Sequence, residues 1–252
     1  MSDRHWILAF DASTPSCVAA LGWVDDAAQT CAATAVIAEQ PNQASARLAD
    51  GLAELLASAG IAATQLAAVA CGRGPGTFTG TRVALATAMG VALGADARAL
   101  PLSTLQIVAA SAPLDRGHDG QVVAWLDARR AEVYAARITV GRSALGERTL
   151  TPVGDEACSD PAAWLSAQAD LAGATVIGPG VAPYRELVDA AGLRAVPCEG
   201  PTVQGLWATA VAAWRRGDAT DPGQLRAVYL RRSYAELGVN KPKRGFSKSP
   251  FV

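Results

Sequence analysis

The chain has 252 residues, 50% of them hydrophobic, with 22 lysines and arginines against 23 aspartates and glutamates. This length provides enough apolar material for one large domain or two modest lobes, with no need for a metal or a disulfide to stabilise them. The balanced charge argues against tight, independent binding of nucleic acid, because domains with that function usually carry a basic stripe or excess.

The first half of the chain begins with apolar runs at strand spacing and then alternates between helix and strand patterns. Antiparallel hairpins followed by strand–helix alternation indicate a mixed sheet covered by helices, as in each half of the fold shared by actin, sugar kinases and acetate kinase. In chain order, the apolar periods and turn residues predict strands at 6–11, 17–26 and 29–39, a helix at 42–60, a strand at 66–72, a helix at 82–95, a strand at 98–102 and a helix at 103–112.

The second half restarts the same pattern. Residues 123–127 (VAWLD) resemble residues 7–11 (ILAFD), and extending this alignment without a gap places Tyr134 on Val18. A strand at 174–178, helices at 184–191 and 202–216, and a final strand or docking segment at 222–234 follow.

The repeat predicts a duplicated α/β fold of two ribonuclease-H-like lobes, each a mixed sheet flanked by helices. We expect the first lobe over 1–105 and the second over 106–232, with its C-terminal segment docking back on the first lobe. Beyond that, the basic composition of 233–252 is typical of a solvated, disordered tail, with cations at Lys241, Lys243, Arg244 and Lys248.

Acids stand at the tips of the two predicted hairpins. A carboxylate followed by hydroxyls in a turn can meet a metal–phosphate group, or the same groups can cap the turn by local hydrogen bonds. In the second hairpin, Arg129-Arg130 replace the two hydroxyl residues of the first, which indicates degeneration for phosphoryl transfer. The candidate degenerate phosphate site comprises Asp11, Ser13, Thr14, Asp127 and Arg129.

The most unusual stretch is 72–82 (GRGPGTFTGTR). It differs from a phosphate loop because five residues separate Gly74 from Gly80 and no lysine follows. Its glycines predict a tight strand-to-helix crossing, with Thr77 or Thr79 capping the next helix, although an anion at that helix N-terminus is also compatible with the pattern.

Other residue types exclude several classes of site. Five cysteines without a C-x-x-C pair indicate reduced thiols, and the two histidines, His5 and His118, lie in no zinc-binding spacing. There is no G-x-S-x-G motif. No signal peptide pattern opens the sequence, and the apolar run Val83–Ala95 is short for a membrane span. We expect a cytoplasmic protein without a membrane contact.

Three strings together resemble one family. They are ILAFDAST at 7–14, GRGPGTFTGTR at 72–82 and WLDARRAEVYAA at 125–136, and Tyr229-Leu230-Arg231 matches a further element near the end. On these motifs the chain is similar to the TsaB (YeaZ) family, and the resemblance covers about residues 6–232. It implies the actin-like fold and a non-catalytic role in making threonylcarbamoyladenosine in tRNA. Ala12 and Ala44 depart from the family's usual threonine and histidine, which further weakens any claim of catalysis.

The resemblance also implies partners. These would be a TsaD-like transferase subunit, a TsaE-like ATPase and a second copy of the chain in isolation, with tRNA contacted only as part of the complex. No cofactor is implied, beyond weak nucleotide binding. The partner surface carried over onto the first-lobe helices comprises Arg47, Leu48, Gly51, Leu52, Leu55, Thr81, Arg82, Leu85 and Met89.

The apolar pattern by itself does not decide whether this surface meets a partner. The helix at 82–95 has almost no polar face, so it lies either at the centre of the monomer or against another subunit. Two alternatives to a partner subunit stay open as well: a phosphotransferase or ATPase of the same fold, which would bind ATP by itself, and a metallohydrolase, which a chelator would inactivate.

Overall fold

A computed structural model describes residues 4–25, 30–37, 44–113, 120–142, 148–196 and 198–231. The predicted basic tail at 233–252, His118 and part of the turn after the second strand lie outside these described residues.

The first lobe is built on a five-stranded sheet with the order β3-β2-β1-β4-β5. Strands β1, β2 and β3 pair antiparallel, whereas β4 and β5 continue the sheet parallel to β1. These strands are β1 (His5–Asp11), β2 (Cys17–Val24), β3 (Thr30–Ile37), β4 (Leu66–Gly72) and β5 (Arg98–Leu102).

The second lobe repeats this topology in the order β8-β7-β6-β9-β10. Its first three strands again pair antiparallel, and β9 and β10 again continue parallel to the first. The repeated order confirms the predicted actin-like fold of two duplicated ribonuclease-H-like lobes. The strands are β6 (Gly120–Arg129), β7 (Glu132–Arg142), β8 (Arg148–Ser159), β9 (Thr175–Ile177) and β10 (Arg194–Val196).

Six α-helices cover the two sheets in the described part of the chain. They are α1 (Ala44–Ser58), α2 (Phe78–Ala95), α3 (Thr104–Ser111), α4 (Pro161–Ala167), α5 (Arg185–Ala190) and α6 (Val203–Arg216). Helices α1 and α2 pack on one face of the first sheet, and α6 packs on the other face. Helix α3 belongs to both lobes, since Ile107 packs with the first sheet and Val108 with the second.

Some elements differ from those expected from the sequence. The sequence patterns did not predict β8, β10 or α4. Within the expected final strand or docking segment, the described residues 222–231 contain a short 3-10 helix, Pro222–Gln224, and no strand. The ungapped alignment of Tyr134 with Val18 is wrong, because Asp127 pairs with Val133 whereas Asp11 pairs with Val18. The second hairpin is one residue tighter than the first.

Helix α2 starts at Phe78, earlier than predicted. Judged by length and composition alone, its 18 residues could cross a membrane. This finding is weak support for a membrane span, because the core helices of soluble proteins pass the same test. Ala84, Ala88 and Ala92 are buried against the lobe's own core.

The glycine-rich loop before α2 lies directly on the turn after β1. The Thr77 amide donates to the Ser13 carbonyl over 2.6 Å. A Cβ added to Gly76 would come within 2.1 Å of that carbonyl oxygen, and one added to Gly80 within 1.9 Å of the Ala12 carbonyl oxygen. Thr77 caps the helix by accepting from the Gly80 amide. Any side chain at Gly76 or Gly80 would therefore separate these two segments.

We expect Gly80→Ala to lower the free energy of unfolding by about 2 kcal/mol or more, because backbone must move to admit the methyl group. Gly90→Ala in the same helix is the matched control, since its Cβ would meet nothing within 4 Å. Helix propensity predicts a gain of up to about 1 kcal/mol there. Urea denaturation of both variants measures the difference, and equal stability would contradict the close packing.

Candidate functional site

A cleft of about 700 Å³ lies between the lobes. Both hairpin turns, the start of α2 and the C-terminal segment line it. The polar and aromatic residues of its lining include Ser13, Thr14, Phe78 and Arg82 from the first lobe, Asp127, Arg129 and Arg130 from the second, and Tyr229 and Arg231 from the C-terminal segment.

Asp11, at the end of β1, is fully buried. Its Oδ1 accepts hydrogen bonds from the Ser13 amide at 2.6 Å and the Ser13 hydroxyl at 2.5 Å. Gly72 covers the carboxyl group so closely that a Cβ there would lie 2.4 Å from the Asp11 Cγ. Asp11 Oδ2 is buried with no hydrogen-bond partner among the described residues. The carboxyl group therefore belongs to the protein interior and does not line the cleft.

Burial raises the pKa of the Asp11 carboxyl, because loss of water outweighs the stabilisation of the charged form by the hydroxyls of Ser13 and Thr104. Desolvation, with a smaller contribution from Asp11, also raises the pKa of the Cys17 and Cys71 thiols to about 12. This corner of the first lobe is therefore an environment that disfavours negative charge.

The hydroxyls of the first hairpin are engaged in local hydrogen bonds. Ser13 Oγ lies 2.7 Å from Thr104 Oγ1, and Thr14 Oγ1 donates to the Ser16 carbonyl over 2.7 Å. These contacts are local turn hydrogen bonds, the alternative to a metal–phosphate site that the sequence leaves open. A phosphate group in the cleft would have to displace them.

The second hairpin presents a different, cationic turn. Residues Arg129, Arg130 and Ala131 have positive φ angles of 63°, 58° and 59°. Asp127 Oδ1 accepts from the Arg129 amide at 2.7 Å, and its Oδ2 lies 3.7 Å from Arg129 Nη1. Both arginine side chains are exposed at the cleft. The structure thus brings Asp127 and Arg129 to one cleft with Ser13 and Thr14, while Asp11 stays behind Gly72.

The C-terminal segment connects the lobes across this cleft. Leu225 is buried in the first-lobe core, and the Val228 amide donates to the Arg73 carbonyl over 2.9 Å. Arg231 then forms an ion pair with Glu132 and donates to the Arg129 carbonyl. We call residues 225–231 the strap.

A cluster that sequence patterns missed stands at the mouth of the cleft. The Arg82 guanidinium lies 3.6 Å from the Phe78 ring centroid, and its Nε donates to Tyr229 Oη over 2.8 Å. Arg82 and Tyr229 each lie in a sequence motif, but the 147 positions between them leave no local signal of their contact. The one sequence feature that could have indicated this cluster is Phe78, an aromatic residue inside the glycine-rich motif.

The structure divides the expected partner surface in two. Leu48, Leu52, Leu55, Thr81 and Leu85 are buried, and the leucines pack in the first-lobe core. In the monomer their side chains therefore hold the helices on the sheet. Arg47 and Arg82 are exposed, and Gly51 and Met89 are half-buried.

The fold and the cleft define a duplicated actin-like protein in which the acid of the first hairpin is withdrawn into the core. A family model described as "TsaD: tRNA N6-adenosine threonylcarbamoyltransferase" matches residues 38–184. The chain belongs to the TsaB (YeaZ) family, as its curated relatives and structural neighbours show.

Two curated relatives are each named "tRNA threonylcarbamoyladenosine biosynthesis protein TsaB". The protein of Escherichia coli is 36% identical over 133 residues, which cover 52% of this chain and 53% of that protein. The protein of Haemophilus influenzae is 33% identical over 187 residues, which cover 73% of this chain and 75% of that protein. The matched region thus spans about half of the first relative and three quarters of the second.

Two solved structures resemble the whole described fold. "YeaZ from Pseudomonas aeruginosa" has a TM-score of 0.70 at 30% identity, covering 90% of this chain and 100% of that chain. A second structure, of "an uncharacterized protein with similarity to peptidase YEAZ from Pseudomonas aeruginosa", has a TM-score of 0.68 at 31% identity, with the same coverage.

The burial of Asp11 predicts a specific pH dependence. Because the folded-state pKa is raised above the ordinary value of 3.8, its stabilising contribution is complete below the unfolded pKa and is lost as pH rises through the folded value. Asp11→Asn is neutral at every pH. We expect wild type to lose stability relative to this variant as pH rises above the ordinary carboxyl range, in urea titrations.

Asp127→Asn, at the exposed equivalent position, controls for the loss of a charge from a hairpin tip. A stability difference between wild type and Asp11→Asn that does not change with pH would contradict a buried carboxyl with a raised pKa.

The strap predicts a measurable coupling between Arg231 and Glu132. Their side chains are 19% and 36% exposed, so we expect a coupling energy of about 1 kcal/mol in a double-mutant cycle of alanine variants. The more exposed Arg185–Asp189 pair on α5 is the control, at about 0.4 kcal/mol. Equal coupling in both pairs would argue against a structural role of the strap.

Proposed function

We propose that this chain is a non-catalytic subunit of the machinery that makes threonylcarbamoyladenosine in tRNA. It pairs with a TsaD-like transferase subunit and supports it together with a TsaE-like ATPase, in the cytoplasm. The names of its TsaB relatives and the match to the TsaD model support this role. tRNA is contacted only as part of the complex.

One observation carries the non-catalytic part of the proposal. The Asp11 carboxyl, which an actin-like enzyme would use to orient a metal-bound water, is fully buried and bonded to its own turn. Among the described residues, no group of three His, Cys, Asp or Glu side chains could hold a metal ion. Peptide hydrolysis, which the name "peptidase YEAZ" of a structural neighbour's relative suggests, has no support from these residues.

The proposed partner surface is the exposed side of α1 and α2. Arg47 is exposed there, with Gly51 and Met89 half-buried, whereas the exposed Arg82 side chain lies at the cleft against Phe78 and Tyr229. Ala86 and Gly90 leave the α2 backbone accessible, and Leu93, further along, has a side chain 65% exposed. An apolar helix face of this kind favours close helix–helix packing. In isolation the same surface forms a homodimer.

A second candidate, a phosphotransferase or ATPase of the actin-like fold, is favoured by the position of the cleft between the two hairpin turns. Weak nucleotide binding at Ser13, Thr14 and Arg129 is compatible with this candidate. Phosphoryl transfer would require Asp11 to leave its buried position, so we keep it as the alternative outcome of the following experiment.

The proposal predicts that tRNA modification requires this chain, although the chain alone has no activity. Threonylcarbamoyladenosine in tRNA is measured after incubation with the TsaD-like and TsaE-like proteins and the adenylate-producing enzyme. We expect product only when this chain is added and none from the chain alone. Equal product without the chain would reject the proposed role, and ATP hydrolysis by the chain alone would favour the phosphotransferase.

Replacing an exposed alanine by glutamate in each of two helices tests the partner surface. We expect Ala86→Glu on α2 to weaken pairing with the TsaD-like subunit at least tenfold, because the interface would enclose an unpaired charge. Ala212→Glu is the matched control, an exposed alanine in α6 on the opposite face of the same sheet. Titration calorimetry measures both affinities, and circular dichroism checks folding. Equal affinities would place the partner elsewhere.

A further inference from the structure

The mouth of the interlobe cleft carries an ordered aromatic platform. Phe78 and Tyr229 are 56% and 52% exposed, and Leu93 is the other strongly exposed large hydrophobic residue of the described chain. The two ring centroids lie 5.7 Å apart. Arg82 stacks on Phe78 and bonds to Tyr229. These contacts hold the rings in place, so a ligand that covers them loses little conformational entropy.

The opposite wall of the cleft is cationic. Arg129 has a side chain 81% exposed, and its distance of 3.7 Å from the Asp127 carboxylate makes that ion pair a weak one. The left-handed backbone at Arg129, Arg130 and Ala131 presents both arginines at the end of the hairpin. Arginine side chains in such a position bind carboxylates in two-bonded geometry.

The charges that line the cleft are unbalanced. Its lining includes Arg82, Arg129, Arg130 and Arg231 but only two acids, Asp127 and Glu199. Arg231 is already paired with Glu132, which leaves three arginines against these two acids. The cleft is therefore suited to an anionic ligand that also has an apolar part for the aromatic platform.

We propose that the interlobe cleft binds an acidic peptide segment of a partner protein. An aromatic or aliphatic side chain of the segment packs on Phe78 and Tyr229, while carboxylates bind Arg129 and Arg130. This goes beyond the proposed function, because the transferase there is assigned to the exposed side of α1 and α2. Aromatic and arginine side chains of this kind dominate binding energy at protein interfaces.

Two other anionic ligands fit less well. A metal–nucleotide would require a carboxylate facing the cleft from the first hairpin, and Asp11 is enclosed behind Gly72. An RNA strand is a polyanion whose binding depends on summed positive charge, and the whole chain has a net charge of −1. A short peptide needs only the local excess of arginine.

The test is an array of immobilised hexapeptides of defined sequence, in which acidic residues, lysine, glutamine, aromatic and aliphatic residues are varied systematically. The full chain is applied at low salt, and affinities of the selected peptides are then measured in solution by fluorescence anisotropy. We expect selection of peptides that place glutamate or aspartate beside an aromatic or aliphatic residue. Replacing their acids by glutamine should weaken binding at least tenfold.

Two matched pairs of variants locate the binding. Phe78→Ala and Arg129→Ala should each weaken binding of the selected peptides at least tenfold. Leu165→Ala, at a half-buried leucine of α4, and Arg185→Ala, at an exposed arginine of α5, lie outside the cleft and should leave it unchanged. Urea denaturation checks that all four variants are folded.

Three outcomes would overturn the proposal. They are the absence of any selected acidic–apolar peptide, selected binding that persists in both Phe78→Ala and Arg129→Ala, and tighter binding of ATP or of a single-stranded RNA oligonucleotide that displaces the peptide. None of these outcomes affects the reconstitution of tRNA modification, so failure here is distinguishable from failure of the proposed function.

Discussion

The close contact between the glycine-rich loop and the turn after β1 is the constraint on which the rest of the first lobe depends. With hydrogen in place of a side chain, Gly76 and Gly80 let the loop backbone approach the Ala12 and Ser13 carbonyls. This approach fixes where α2 begins and therefore places Phe78 and Arg82 at the cleft. The Thr77–Ser13 hydrogen bond holds the two segments together. A motif that resembles a phosphate loop thus serves here to pack backbone against backbone.

The same packing accounts for the state of Asp11. Gly72, just before the loop, lies against the carboxyl group, and Ser13 occupies its Oδ1. An acid that faced the cleft could have oriented a metal-bound water, but an enclosed acid mainly costs stability once it is charged. The position survives as a structural hydrogen-bond acceptor. The charged groups that face the cleft from the hairpins therefore belong to the second hairpin, whose arginines attract anions without a metal.

Sequence patterns were sufficient for the first sheet, because apolar strands and their terminal acids carry a local signal. They missed β8 and β10 of the second sheet, whose sequences, RTLTPVGDEACS and RAV, lack such an apolar run. They were insufficient for the partner surface, since an apolar helix face looks the same whether it meets its own sheet or another chain; Leu48 and Leu85 proved to be core. Thr77 was one of the two predicted caps of α2, but the apolar pattern began at residue 82 and not at Phe78, because Gly80, a residue typical of loops, lies in the first turn. The contact of Arg82 with Tyr229 joins residues 147 positions apart, beyond the reach of any periodicity.

The chain order of the packed elements has a consequence for synthesis on the ribosome. Helix α6, which covers one face of the first sheet with Leu206 and Ala210, follows the whole second lobe in sequence. The first lobe therefore emerges with that face uncovered and can complete its core only after about 100 further residues have been translated, roughly 5–20 s at ordinary elongation rates. The strap is translated later still, and only then can it join the two lobes. Until α6 is in place, a nascent-chain chaperone would find exposed apolar residues on β1 and β2.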